Sequence, residues 1–311
     1  MREKIVSLDQ VCLAYEKKIT EPISLSVAAG EILVLAGESG SGKTSVLRAI
    51  LGLPELRVEV VSGSISYFIG NCVAFPIKQK SAPRRSHCGG TEFVASRPAA
   101  GGESCGAGFY FYREKELTGM RERERQTLLG TEMTMIFQNP GAAFNPIRTY
   151  QKQLVDMLKS RRQYRGKQSL AEICSCLESL NLPDAERILA SCPCELSGGM
   201  NQRMAIAAAM LLRPRLLLAD EPTSALDVES QRLVVEELLR VRELTGMSMI
   251  VVTHNLRVAE KLADQIGILQ EGKLIELGTA EQVLQHPQQP YTRELLAAAP
   301  QEIWNYRGGM A

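Results

Sequence analysis

The segment EILVLAGESGSGKTSVLRAILG at residues 31–52 leaves a folding chain little choice. A short apolar run, a glycine-rich turn and an apolar-periodic helix follow one another without a linker, so strand, turn and helix form one unit. In the turn, Gly37, Gly40 and Gly42 give the backbone conformations that other residues avoid. Successive N–H groups along Gly37, Glu38, Ser39, Gly40, Ser41, Gly42, Lys43, Thr44 and Ser45, with the helix N-terminus behind them, can then surround phosphate oxygens. Lys43 is placed to reach β- and γ-phosphates, and the Thr44 hydroxyl to ligate Mg²⁺. This is a P-loop, and it predicts nucleotide binding.

A second segment, LLLADEPTSALD at residues 216–227, ends an apolar run in two adjacent carboxylates, Asp220 and Glu221. A parallel-sheet strand reads as such a continuous run, and α/β sheets bind ligands beyond the carboxyl ends of their strands. Together with the P-loop, this assigns Asp220 to Mg²⁺, through its water shell, and Glu221 to the water that attacks the γ-phosphate. Hydrolysis of ATP is the expected reaction.

Composition narrows the class. The chain has 311 residues and a formal net charge of +1, which gives no electrostatic reason to expect nucleic acid. Apolar residues make up 45% of it, enough for a sizeable core. Runs such as AIAAAMLL at 205–212 are too short to span a bilayer, and MREKIVSLDQ lacks the apolar core of a signal peptide, so a cytoplasmic location is expected. Of the eight cysteines, Cys174 with Cys176 and Cys192 with Cys194 form close pairs. One intervening residue is wrong spacing for a zinc site, and two positions on a helix point about 200° apart, so buried structural thiols are expected.

Along the chain, residues 4–36 read as strands, with AAGE at 28–31 as a hairpin signal. Tyr15 lies 28 residues before Lys43, and its ring is a candidate stacking partner for adenine. Residues 70–109, rich in Gly, Ser, Pro and Arg, read as a flexible insertion. ELTGMRERERQTLL at 116–129 alternates Arg with Glu and reads as a solvent-exposed, self-paired helix. The strand TEMTMIF ends at Gln138, whose amide is placed to reach both Mg²⁺ and the attacking water. Amphipathic helices then fill residues 150–190, and ELSGGMNQRMAIAAAML opens a long apolar helix with a Ser-Gly-Gly turn. That turn, Ser197, Gly198 and Gly199, has the make-up of a second anion site.

In this order the elements resemble the nucleotide-binding subunits of ABC transporters. The matching pieces are GESGSGKT, Gln138 as the Q-loop residue, LSGGM, LLLADE, Ser224 to Asp227 as the D-loop, and His254 in IVVTH as the switch histidine. The resemblance implies an α/β P-loop NTPase (RecA-like) core with an antiparallel β-subdomain and a helical subdomain. The core would take residues 1–140 and 195–275, the helical subdomain 141–194, and a C-terminal extension 276–311. It also implies that Ser197, Gly198, Gly199 and Met200, with Asp227, act on ATP held by another subunit, and that His254 contacts the γ-phosphate. The partners so implied are two membrane permease subunits, a second ATP-binding subunit (a paralogue or a second copy) and, indirectly, an extracytoplasmic solute-binding protein. The chain would sit on the inner face of the cell membrane.

HPQQPYTRELLAAAP at 286–300 is similar to the tail of peptide and nickel importer ATPases, and QNPGAAFNP at 138–146 leans toward the nickel branch. Departures are the insertion, Asn201 after LSGGM where arginine is usual, and Cys192 with Cys194 where YPH is common. A soluble ABC ATPase of DNA repair or translation would carry two cassettes or a long coiled coil, and an exporter ATPase would lack the importer-like tail.

Overall fold

The apolar runs sort into two sheets because some alternate with polar residues and others do not. A computed structural model of the chain describes residues 3–15, 17–18, 20–53, 58–73, 91–94, 109–182, 184–224 and 226–298. The chain opens with β1 (Lys4–Tyr15), β2 (Lys17–Lys18), β3 (Ile23–Ala28) and β4 (Ile32–Ala36), followed by helix α1 (Lys43–Leu51). Next come β5 (Glu59–Val73), β6 (Thr91–Val94), β7 (Phe109–Glu116), α2 (Glu122–Leu128) and β8 (Met133–Ile136). Helices α3 (Pro140–Ala143), α4 (Tyr150–Ser160), α5 (Lys167–Ser179), α6 (Ala185–Ala190) and α7 (Gly198–Leu212) lead to β9 (Leu216–Asp220) and α8 (Val228–Thr245). The rest is β10 (Ser248–Thr253), α9 (Leu256–Leu262), β11 (Gln265–Gln270), β12 (Lys273–Thr279), α10 (Ala280–Gln285) and α11 (Pro290–Ala298).

The alternating strands form an antiparallel sheet in the order β2-β1-β5-β7-β6, with β3 paired to β1. The continuous apolar runs β4, β8, β9, β10 and β11 lie in a second sheet ordered β12-β11-β4-β10-β9-β8, parallel except for the β11–β12 hairpin. Every residue of β4, β9 and β10 is buried, as expected for strands covered on both faces. Period-two alternation divides them between two cores. Ile32, Val34 and Ala36 face the helices α4 to α9, while Leu33 and Leu35 face α1 and the antiparallel sheet.

Four sequence expectations need correction, the last of them the paired cysteines, of which Cys194 is exposed and Cys174, Cys176 and Cys192 are only partly buried. AAGE does not make a hairpin: β3 pairs with β1 and β4 enters the other sheet, so the turn hands the chain from one layer to the next. Glu31 Oε2 accepts the Ala28 N–H at 2.6 Å and closes the turn, while the wholly apolar β4 can be satisfied only in the buried parallel sheet. Residues 70–73 and 91–94, inside the span read as a flexible insertion, are strand: Gly70 to Val73 pair with Phe109 to Tyr112, and Thr91 to Val94 pair with Tyr110 to Arg113. The remainder of that insertion, and the side chain of Tyr15, lie outside the described residues.

The Arg/Glu helix is the third. Arg125 does not face solvent but is 7% exposed, and Nη1 donates to the α1 carbonyls of Ala49 (3.4 Å) and Ile50 (3.2 Å), and Nη2 to Leu117 O. A cation at the carbonyl end of a helix is favoured by the helix dipole and by the orphan carbonyls there. Gly52 makes the room: a Cβ at this left-handed residue would stand 1.7 Å from Arg125 Nη1.

The helical region is tied to the core by a buried ion pair. Arg203 on α7 bonds Glu237 on α8 and the carbonyl of Leu180. Glu237 is 3% exposed and its Oε2 has no partner. Its geometry beside Arg203 favours the charged form, but burial outweighs it and raises the carboxyl from 4.5 to about 7. Because the folded value is raised, this group's contribution to stability is complete below the unfolded value and is lost as pH rises through the folded one. The Glu237→Gln chain stays neutral, so its melting temperature should fall less than the parent's between about pH 5 and about pH 8. Identical pH profiles would contradict this account of Glu237.

Cys176 on α5 packs against α7, its Sγ 3.7 Å from the Ala207 carbonyl, and burial raises its thiol to about 11. Asn201, at the position flagged as a departure, bonds the Tyr150 hydroxyl and donates to Pro193 O at 3.1 Å. Among the described residues no helix is long and apolar enough to cross a membrane.

Candidate active site

Parallel pairing places the ends of four strands along one edge, so residues far apart in sequence emerge side by side. Thr253 on β10 registers with Ala36 on β4, Val252 with Asp220 on β9, and Ala219 with Ile136 on β8. One residue further on stand Gly37, His254, Glu221 and Phe137, the last followed by Gln138.

The glycine turn after β4 has the geometry that its sequence predicts. Gly37, Gly40 and Gly42 have φ of 145°, 82° and 97°. Gly37 is demanded twice over, since a Cβ there would also lie 2.1 Å from the Leu269 carbonyl oxygen on β11. Among the described residues, no atom beyond Gly40 and its two chain neighbours lies within 4 Å of where its Cβ would stand, so the turn opens outward at that point. Glu38, Ser39 and Gly40 are exposed, whereas Ser41 and Lys43 are each 4% exposed. Lys43 starts α1 and curls back, its Nζ donating to Gly37 O (2.9 Å), Glu38 O (2.6 Å) and Ser41 Oγ (3.3 Å). Burial lowers its ammonium below the ordinary lysine value, opposed by the charges of Glu221, Asp220 and Glu38.

Thr44 Oγ1 donates to Asp220 Oδ1 at 2.7 Å, which brings the two candidate cation ligands together. Burial raises the Asp220 carboxyl, against the Thr44 hydrogen bond and the charges of Arg48 and Lys43. A hydroxyl, one carboxylate and a side-chain amide are hard oxygen donors, and so few of them suit Mg²⁺, which keeps waters and takes substrate phosphates. Among the described residues there is no cluster of three or more His, Cys, Asp or Glu able to hold a metal unaided.

Glu221 is a non-glycine residue at φ 44°, a left-handed conformation that costs of order 1–3 kcal/mol. Its N–H donates to Val252 O at 2.9 Å, and its own carbonyl accepts from Ser224 N at 3.0 Å. So held, its carboxylate meets Gln138 Nε2 at 3.3 Å through Oε2, while His254 Nδ1 lies 3.2 Å from Oε1. The three residues converge from the ends of three strands. The Gln138 amide nitrogen is the atom turned to Glu221, so its oxygen remains available as an acceptor.

The Ser-Gly-Gly turn gathers with the start of α8. Ser197 caps α7, its Oγ accepting from Met200 N at 3.3 Å, with Gly198 and Gly199 in the first turn. Asp227 caps α8, accepting from Ser230 N (2.9 Å) and Ser230 Oγ (2.7 Å), bonds that hold its carboxyl below the ordinary value. A Cβ on Gly199 would come within 3.4 Å of Ser230 Oγ, so these two caps lie together, in a second group. Ser45 is half-buried on α1.

One residue at the site escaped the sequence reading. Tyr291, on α11, accepts the Glu38 N–H on its hydroxyl at 3.2 Å across 253 residues of sequence. PYTRELLAAAP is recognisable as a tail, but nothing in its pattern reports that the tail folds back onto the glycine turn.

The sequence matches the family described as ABC transporter over residues 20–90 and 100–224. It is 30% identical over 303 residues to the oligopeptide transport ATP-binding protein OppD of Lactococcus lactis subsp. cremoris, covering 96% of this chain and 76% of that protein. It is 34% identical over 278 residues to the peptidoglycan transport ATP-binding protein YejF of Agrobacterium fabrum, covering 89% of this chain but only 43% of that protein, so the chain spans less than half of this relative. In fold it is similar to an ATP-binding cassette solved as a dimer in a post-hydrolysis state with ADP and Pi, with a TM-score of 0.64 and 22% identity over 89% of this chain and 99% of that one. The chain therefore belongs to the ABC transporter family and carries its ATP-binding domain.

Proposed function

We propose that this chain is the ATP-hydrolysing subunit of an importer, working with two membrane permease subunits on the inner face of the cell membrane. The observation that carries this reading is the meeting of Thr44 with Asp220 and of Gln138 and His254 with Glu221 along one sheet edge. Gly37, Glu38, Ser39, Gly40, Ser41, Gly42, Lys43, Thr44 and Ser45 form the phosphate cradle, and Tyr15 stacks on adenine. Thr44, Asp220 and Gln138 hold Mg²⁺, which when bound neutralises charge developing on the β- and γ-phosphate oxygens. Glu221 orients the attacking water and accepts its proton; His254 holds the γ-phosphate side of the site.

Ser197, Gly198, Gly199, Met200 and Asp227 gather at two neighbouring helix caps, with Ser197, Gly198 and Asp227 exposed. This supports a closed pair in which each subunit's serine-capped helix completes the site of the other, a paralogue or second copy. The division into an α/β core at 1–140 and 195–275, a helical subdomain at 141–194 and an extension at 276–311 belongs to the same reading.

Peptides are the proposed cargo, delivered by an extracytoplasmic solute-binding protein, because relatives of this chain are named for oligopeptide, dipeptide, glutathione and peptidoglycan transport. Nickel is a second reading, favoured by QNPGAAFNP at 138–146. The test is to isolate the membrane complex formed by the Glu221→Gln chain and identify what copurifies. Two permeases with a second ATP-binding subunit are expected, and the parent complex should raise its ATPase rate on adding peptide-loaded binding protein. A chain recovered free of any permease, or bound to ribosomes or DNA, would contradict the reading; stimulation by Ni²⁺ alone would select the other cargo.

A further inference from the structure

The C-terminal tail reaches the nucleotide site and is built to stay there. Glu276, on β12, accepts three hydrogen bonds from it: Oε1 from Gln288 N (2.8 Å), Oε2 from Gln289 N (3.2 Å) and from Thr292 Oγ1 (2.5 Å). Thr292 is completely buried, and Tyr291, Leu295 and Leu296 of α11 pack on the helix-side core. One carboxylate thus satisfies the free N–H groups that precede α11 and sets the rotation of the helix about its axis. That rotation points Tyr291 at the glycine turn.

At its tip the phenol meets the peptide between Gly37 and Glu38, whose carbonyl has a duty of its own. The Glu38 N–H donates to Tyr291 Oη at 3.2 Å, while the Gly37 carbonyl of the same peptide accepts from Lys43 Nζ at 2.9 Å. Glu38 is exposed and follows a glycine, so without the tyrosine this peptide plane is held less firmly. The β11–β12 hairpin braces the same turn from the other side, Gly272 N donating to Ser41 O at 3.2 Å.

We propose that Tyr291 is a positioning residue for the ATP site: its hydroxyl fixes the Gly37–Glu38 peptide, and through it the glycine turn, in the arrangement that receives phosphate. The inference rests on the ATP-binding role proposed above. The tyrosine touches no reacting atom; it removes disorder that ATP would otherwise have to remove on binding.

The experiment is an equilibrium titration of the full chain with ATP and Mg²⁺, alongside thermal melting without nucleotide. Tyr291→Phe keeps the ring and loses one neutral hydrogen bond, so Kd should rise roughly two- to tenfold. The melting temperature without nucleotide and kcat at saturating ATP should stay close to the parent's. Glu276→Gln, which loosens the tail without touching the turn, should raise Kd in the same direction, and combining the two should add little, because both act through one hydroxyl. Unchanged affinity in Tyr291→Phe would overturn the proposal, as would tighter binding, which would make the tail a restraint. If the phenylalanine chain failed to fold, Glu276→Gln alone would decide, an unchanged Kd overturning it. Failure of the parent chain to bind ATP at all would instead strike the proposed function.

Discussion

The Glu221→Gln chain is expected to bind ATP with Mg²⁺ as the parent does and to hydrolyse it about 10²–10⁴-fold more slowly, the range a positioned general base supplies. The substitution is nearly isosteric, so the strained backbone at φ 44° and the approach of Gln138 and His254 are retained. What is lost is a carboxylate able to take the proton of the attacking water. Steady-state phosphate release and single-turnover hydrolysis, with a separate ATP titration, divide the two effects. A parental rate in Glu221→Gln would remove Glu221 from proton transfer.

Lys43→Ala acts on a different step. The ammonium is buried and held by Gly37 O, Glu38 O and Ser41 Oγ, so it is poised at the turn's mouth and must exchange these carbonyls for phosphate oxygens. Hydrogen bonds to charged groups contribute about 1.5–3 kcal/mol each, so ATP affinity should fall at least roughly ten- to a hundredfold. Hydrolysis falls with it because the site no longer fills. The same burial gives the affinity a pH dependence of definite sign: with its pKa lowered, Lys43 loses its proton at lower pH than an ordinary lysine, so ATP binding should weaken early on the alkaline side. In Lys43→Ala that alkaline limb should disappear. Equal affinity in the two chains would show that the ammonium does not meet phosphate.

The residues that meet along this sheet edge were legible in the sequence because each sits where local pattern and strand order agree. An apolar run that ends in Asp220 and Glu221, another that ends in Gly37 and a third that ends before His254 can satisfy their backbones only as neighbours in one parallel sheet. What escaped is what depends on long-range packing. Arg125 looks like one more surface charge in RERER, and only the α1 carbonyls beside Gly52 make its burial favourable. AAGE has the composition of a hairpin turn, but the turn cannot tell which sheet each flanking strand will join. Gly70 to Val73 carry no strand signal of their own and are held by pairing with residues some 40 positions away. Tyr291 is silent in sequence for the same reason, since a phenol at the start of a helix reports nothing of the peptide it will meet.

All of this turns on whether the glycine cradle after β4 receives a nucleoside triphosphate, and equilibrium titration of the purified full-length chain with ATP and Mg²⁺ tests that most directly. The account predicts saturable binding at one site per chain, retained in Glu221→Gln and severely weakened in Lys43→Ala. Absence of binding by the parent chain, or binding indifferent to the loss of Lys43, would contradict it.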